Sequence, residues 1–68
     1  MRLLKIKEVM DRSGLGRTSI YKYIGKGEFP RPVTIAENRV AWVEEEIQEW
    51  ILAKIQQRDE TQSLRQSI

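Results

Sequence analysis

The four glycines of this 68-residue chain all lie between positions 14 and 27, in two pairs on either side of the segment 17–24. Glycine commonly occupies the position just past a helix end, and it is tolerated at the position that caps a helix start. A helix is therefore predicted from about residue 17 to residue 25 or 26. Within it, Ile20 and Ile24 are four residues apart, so they share one apolar face.

The other side of this predicted helix carries polar groups that suit nucleic acid. These groups are two cations, two hydroxyls and a phenol, from Arg17, Thr18, Ser19, Tyr21 and Lys22. Such side chains bind phosphate oxygens and base edges in protein–DNA complexes. The pattern predicts that this helix enters DNA and that the rest of the chain holds it in place.

An earlier helix is predicted over about residues 7–13, ending at Gly14. Apolar residues repeat there at helical spacing, namely Ile6, Val9 and Met10. A short edge strand over Leu3–Ile6 is predicted to lead into it. Two helices joined by a short glycine-containing turn are typical of the helix-turn-helix motif.

A small β-hairpin is predicted after the second helix. Residues 28–32 contain two prolines, so they are expected to be extended rather than helical. Residues 33–35 and 40–42 then alternate as strands do. The turn that joins them, 36–39, includes Asn38, which tolerates a positive φ. A hairpin of this size is typical of the wing of a winged helix.

The third predicted helix begins with Glu44–Glu46, whose charges suit the positive end of a helix. Its apolar stripe follows at helical spacing, as Ile47, Trp50, Ile51 and Ile55. This helix is predicted over residues 44–57. The polar residues 58–68 are expected to fray, which divides the chain into a domain of residues 1–57 and a tail of 58–68. A helix that forms only with a partner is the alternative for the tail.

The composition restricts the chemistry that the chain offers. It contains neither cysteine nor histidine, which removes the usual metal ligands, nucleophile–base pairs and general base. We therefore predict no catalytic residue, no metal site and no cofactor, although Glu44–Glu46 leave a carboxylate site as the enzymatic alternative. The N-terminus does not resemble a signal peptide, and no apolar run is long enough for a membrane-spanning helix. A cytoplasmic protein without membrane contact is expected.

Charge is distributed unevenly along the chain. Residues 1–35 carry eight basic and three acidic side chains, a net charge of +5. Residues 36–68 carry four basic and seven acidic side chains, a net charge of −3. A basic half beside an acidic half indicates a face for a polyanion with a solvated support behind it. Chance unevenness in a short chain is the alternative interpretation.

Eight residues are predicted to bind DNA: Arg17, Thr18, Ser19, Tyr21, Lys22, Lys26, Arg31 and Arg39. Arginine can bond a guanine edge through two hydrogen bonds, so Arg17 is assigned to a base edge or a phosphate. Arg31 and Arg39 flank the hairpin, and an arginine at the turn tip suits a narrow minor groove. The lysines are assigned to phosphates.

Each of these assignments has a structural alternative. The hydroxyls of Thr18 and Ser19 are also suited to capping the helix start, and Tyr21 is equally consistent with a half-buried position. Lysines on a solvated face need no ligand. Trp42 and Trp50 have an apolar spacing that favours the core over stacking on bases.

The order of these elements is similar to that of a known family. The matching segments are Leu4–Val9, Gly14–Leu15, Arg17–Lys22, Gly27–Val33, Val40–Trp42 and Glu46–Ile51. In this order and spacing, the chain resembles the AlpA family of prophage transcriptional regulators. Those are small winged-helix proteins related to excisionases and to the DNA-binding domains of MerR regulators. The resemblance extends from residue 3 to about residue 52.

The resemblance implies a mostly α-helical winged helix-turn-helix fold with a small β-hairpin, in which the second helix binds DNA beside the wing. It implies prophage gene control, with two alternatives: an excisionase that binds attachment-site DNA, and a protein-interaction module such as an antirepressor. The implied partners are double-stranded DNA, further copies of the chain, and an integrase or RNA polymerase. The chain departs from the family at Gly16, where serine is usual, and at Val43, where arginine is common.

Overall fold

The computed structural model describes the backbone of residues 1–66 and the side chains of residues 1–61. Three helices and three short strands follow one another along the chain. They are β1 (Leu3–Leu4), α1 (Ile6–Ser13), α2 (Arg17–Gly25), β2 (Val33–Ala36), β3 (Arg39–Val43) and α3 (Glu44–Gln66). This order confirms the predicted mostly α-helical, winged helix-turn-helix fold with a small β-hairpin.

The glycines end and begin the helices as their spacing predicts. Gly14 follows α1 with a φ of 73°, and its N–H donates to the Met10 carbonyl at 2.9 Å. Gly16 caps α2 with an extended backbone and without a side-chain hydrogen bond. Gly27 also has a φ of 73°, and it turns the chain away from α2. A side chain at either positive-φ position would strain the backbone.

The hairpin of β2 and β3 is part of a three-stranded antiparallel sheet with the order β1-β3-β2. In β1, Leu3 pairs with Val43 and Leu4 with Trp42. The sequence predicts the hairpin and the edge strand, but it does not predict that they pair. At the wing tip the register shifts by a bulge, and Asn38 takes a φ of 62°, as predicted for this turn.

The core is built from one buried side chain of nearly every segment. These side chains are Leu4 of β1, Val9 of α1, Ile20 of α2, Phe29 of the α2–β2 linker, Trp42 of β3 and Ile47 of α3. Trp42 is the largest of them and has no exposed surface, which confirms that it is a core residue. A core of so few side chains makes each of them important for stability.

Two indole N–H groups fix the linker between α2 and the wing. Trp42 donates through Nε1 to the Pro30 carbonyl at 3.1 Å, and Trp50 donates to the Glu28 carbonyl at 2.8 Å. The rings of Phe29 and Trp50 meet edge to face, with centroids 4.8 Å apart. Trp50 is half-buried at the rim of the core. The linker has two prolines and no secondary structure of its own, so these contacts set its path.

Helix α3 is longer than predicted. It runs to Gln66, so the predicted end near residue 57 is wrong. The apolar stripe that suggested this end stops at Ile55, yet the segment 44–66 contains neither glycine nor proline. Because no residue of this segment strongly opposes a helix, the helix continues past the last residue of the predicted apolar stripe. The division between a domain and a tail at residue 57 stays a prediction, and residues 67–68 lie outside the described residues.

Replacing Trp42 with phenylalanine tests the importance of its hydrogen bond. Trp42→Phe keeps an aromatic ring but leaves the Pro30 carbonyl without its donor and the core slightly underfilled. We expect the free energy of unfolding to fall by roughly 1–3 kcal/mol, measured by urea denaturation with circular dichroism. Leu52→Ala is the control, because Leu52 is 50% exposed and should change stability little. An unchanged urea midpoint in Trp42→Phe would contradict this role.

Candidate nucleic-acid interface

The outward face of α2 carries most of the residues predicted to bind DNA. Exposed side chains on or just beyond this helix belong to Arg17, Thr18, Tyr21, Lys22 and Lys26. Ser19 is half-buried, and Ile20 is fully buried against the core. The helix therefore has a buried apolar back, and a polar front that is open to a ligand.

Tyr21 combines the two interpretations that its sequence position allows. Its ring meets the ring of Trp42 edge to face, with centroids 6.2 Å apart and planes at 64°. The residue nevertheless remains 46% exposed. One side of the ring thus packs on the base of the wing, while the other side stays on the polar front of α2.

A groove of about 420 Å³ lies between α2 and the wing. It is lined by Lys5, Ile6, Arg17, Tyr21, Asn38, Arg39 and Val40. The fold thus brings Arg17 of α2 and Arg39 of the wing to one groove, which we call the α2–wing groove. Lys5 also lines it, although the sequence does not single this residue out. Its position depends on the pairing of β1 with β3, for which a two-residue strand gives no periodic signal.

Arg31 does not line the α2–wing groove. It lies in a second groove of about 600 Å³, formed by the α2–β2 linker and the first turns of α3. Glu46 and Glu49 line this groove with it. The structure therefore places Arg31 beside carboxylates, apart from Arg39 of the wing.

Some cations of this chain form ion pairs with its own carboxylates, and others do not. Arg12 contacts Glu44 with a nitrogen–oxygen distance of 2.9 Å, and Arg2 contacts Glu8 at 2.9 Å and Glu44 at 3.8 Å. These pairs tie the N-terminal segment and α1 to the start of α3. Among the side chains of residues 1–61, no carboxylate forms an ion pair with a cation of α2 or the wing. The cations of the α2–wing groove are therefore available to an external anion.

Among the acidic residues at the start of α3, Glu44 has a structural role, because it forms ion pairs with Arg2 and Arg12. Within residues 1–61, no group of three acidic side chains is placed to hold a metal ion.

None of the helices in the described part of the chain is both long enough and apolar enough to cross a membrane.

Comparison with known proteins identifies the family. The family model described as Prophage CP4-57 regulatory protein (AlpA) matches residues 2–55. The chain is also 43% identical over 54 residues to the uncharacterized protein ORF88 of Enterobacteria phage P4. That alignment covers 79% of this chain and 61% of the phage protein, so the chain spans about three-fifths of this relative. The chain belongs to the AlpA family of prophage regulatory proteins.

Proposed function

We propose that this chain is a sequence-specific transcriptional regulator that places α2 in the major groove of DNA and the wing on the adjacent backbone or minor groove. The observation that carries this proposal is the α2–wing groove, which is lined by one arginine from each element, and neither arginine forms an ion pair among the side chains of residues 1–61. Cations without carboxylate partners are suited to phosphates and base edges.

Within this proposal, α2 reads the DNA sequence. Arg17 is the first residue of the helix and lines the α2–wing groove, so it can reach a guanine edge or a phosphate. Thr18 is exposed and Ser19 half-buried in the same turn. Their hydroxyls and the free N–H groups of the first turn suit a phosphate oxygen. Tyr21 adds a phenolic hydroxyl on the same front.

The remaining cations hold the complex without reading its sequence. Lys22 and Lys26 are exposed and four residues apart, so they are proposed to bind phosphates beside α2. Arg39 is proposed to enter the minor groove or bind its backbone. Arg31 lies beside Glu46 and Glu49, so we propose that it contacts only phosphates that flank the main site.

A single module of this size gives limited specificity. We therefore propose that several copies bind neighbouring sites or that two copies form a dimer. Helix α3 is the candidate for contacts between copies, because Leu52 and Ile55 are 50% and 40% exposed. An integrase or RNA polymerase is a further partner to be tested on this surface.

The first test compares two DNAs by fluorescence anisotropy across a salt series. One is the promoter and attachment-site DNA around the gene for this protein, and the other is scrambled DNA of equal length. We expect a preference of ~10³-fold or more for the first DNA at physiological salt. Equal and steeply salt-dependent binding to both would show only counterion release by a basic face. Footprinting then distinguishes a regulator, bound at the promoter, from an excisionase, bound at several attachment sites.

Arg17→Ala tests direct readout by α2. We expect weaker binding to the specific site and relaxed preference at one base pair, worth about 1–3 kcal/mol of discrimination. Binding to a set of single-base variants of the site measures this preference. A uniform loss across all variants would instead assign Arg17 to a phosphate.

Lys22→Ala tests the phosphate contacts. We expect binding to weaken on every sequence and the salt slope to fall by about one. Lys54→Ala is the matched control, because Lys54 lies over the Trp50 ring at 5.3 Å and does not line the α2–wing groove. If both variants bind DNA as tightly as the original chain does, Lys22 is not a phosphate contact.

A further inference from the structure

Lys5 belongs to the N-terminal segment, which has no assigned role in the proposed complex with DNA. It lies between β1 and α1, and the pairing of Leu4 with Trp42 fixes the chain just before it. Because β1 runs antiparallel to β3, the chain at this point leads from the end of β3 back towards the wing. This topology explains why Lys5 lines the α2–wing groove together with Arg39.

The three cations of the N-terminal segment have different surroundings. Arg2 is held by the carboxylates of Glu8 and Glu44. Lys5 is exposed and lines the α2–wing groove. Lys7 is exposed on α1 and does not line this groove. Within residues 1–61, neither lysine forms an ion pair. The fold thus neutralises the first cation and leaves the second one at the groove.

Three separate segments therefore supply a cation to one small groove: the N-terminal segment supplies Lys5, α2 supplies Arg17, and the wing supplies Arg39. Like charges that share a concave surface repel one another unless an anion lies among them. Tyr21 lines the same groove, and a tyrosine hydroxyl can donate a hydrogen bond to such an anion. A backbone phosphate has two non-bridging oxygens that share one negative charge, so it can accept hydrogen bonds from more than one of these donors.

The geometry of duplex DNA indicates which anion this is. A major groove and the minor groove next to it are always separated by one sugar–phosphate backbone. If α2 enters the major groove and the wing reaches the adjacent minor groove, that backbone must pass between them. The space between α2 and the wing is the groove that the three cations line.

We propose that Lys5 and Arg39 together bind one backbone phosphate of DNA in the groove that Arg17 also lines, with Lys5 as a DNA contact supplied by the N-terminal segment. This proposal rests on the proposed DNA-binding function and adds a contact to it. The shared phosphate fixes the register of α2 and the wing on the duplex, because contacts to the backbone position a protein without reading its sequence. Lys5 is a positioning contact in this sense.

Two variants of equal charge test the proposal in the full chain. Lys5→Gln removes the cation at the groove, and Lys7→Gln removes one two residues away that does not line it. We expect Lys5→Gln to lower the slope of log affinity against log salt by ~0.9. The ratio of the affinity of the original chain to that of Lys5→Gln should then fall about three- to fourfold between 50 and 200 mM salt. Lys7→Gln should change this slope by less than half as much as Lys5→Gln does.

A single-phosphate substitution identifies the shared contact. DNA duplexes with one uncharged methylphosphonate at each position in turn are compared by anisotropy. We expect one position at which affinity falls for the original chain and for Lys7→Gln. At that same position, the affinity of Lys5→Gln and of Arg39→Gln should fall much less, because each variant already lacks one of the side chains that bind this phosphate.

The possible failures of the two proposals are distinguishable. If Lys5→Gln behaves as Lys7→Gln does, or if the Lys5 and Arg39 variants respond to different phosphates, the shared-phosphate proposal is overturned. The proposed function survives that result as long as Arg17→Ala and Lys22→Ala weaken DNA binding. If the original chain does not prefer its own DNA over scrambled DNA, the proposed function itself is contradicted. Unfolding curves of Lys5→Gln that match those of the original chain exclude misfolding as the cause.

Discussion

The Trp42 side chain connects the parts of this molecule that must keep a fixed relation to one another. Its indole is fully buried, its Nε1 donates to the Pro30 carbonyl, and its ring meets the ring of Tyr21. One residue of β3 thus contacts the linker and the exposed side of α2. Because β3 also pairs with both other strands, the N-terminal segment and the wing take their positions from the same strand. The angle between α2 and the wing depends on this packing rather than on the short linker.

Charge is arranged on this frame in two distinct ways. Glu44 lies at the start of α3, where it accepts contacts from Arg2 and Arg12. These pairs are partly exposed, so each adds little stability. They do, however, neutralise two cations of the basic half of the chain. The cations of α2 and the wing have no such partners within residues 1–61. The uneven charge of the sequence therefore becomes a surface that is basic on one side and neutralised at the junction with α3.

Much of this architecture could be predicted from local signals. Glycines bounded α1 and α2, prolines excluded a helix in the linker, and alternation over residues 33–42 indicated the hairpin. The features that were missed are long-range or lack a terminating signal. Two leucines cannot show a strand period, so the pairing of β1 with β3 was not predictable, and Lys5 was not associated with the groove. The apolar stripe predicts too early an end for α3, because it indicates only which residues pack, whereas no glycine or proline stops the helix after Ile55.

The proposed phosphate contact in the groove also links DNA binding to the stability of this small domain. Cations from three segments line it, and like charges in one groove repel one another. An anion in the groove turns that repulsion into attraction, so a ligand that binds only the folded chain also stabilises it. Few side chains form the core, so even a modest electrostatic cost is a large part of the net stability. The same cations that weaken the free domain would then hold its segments together on DNA.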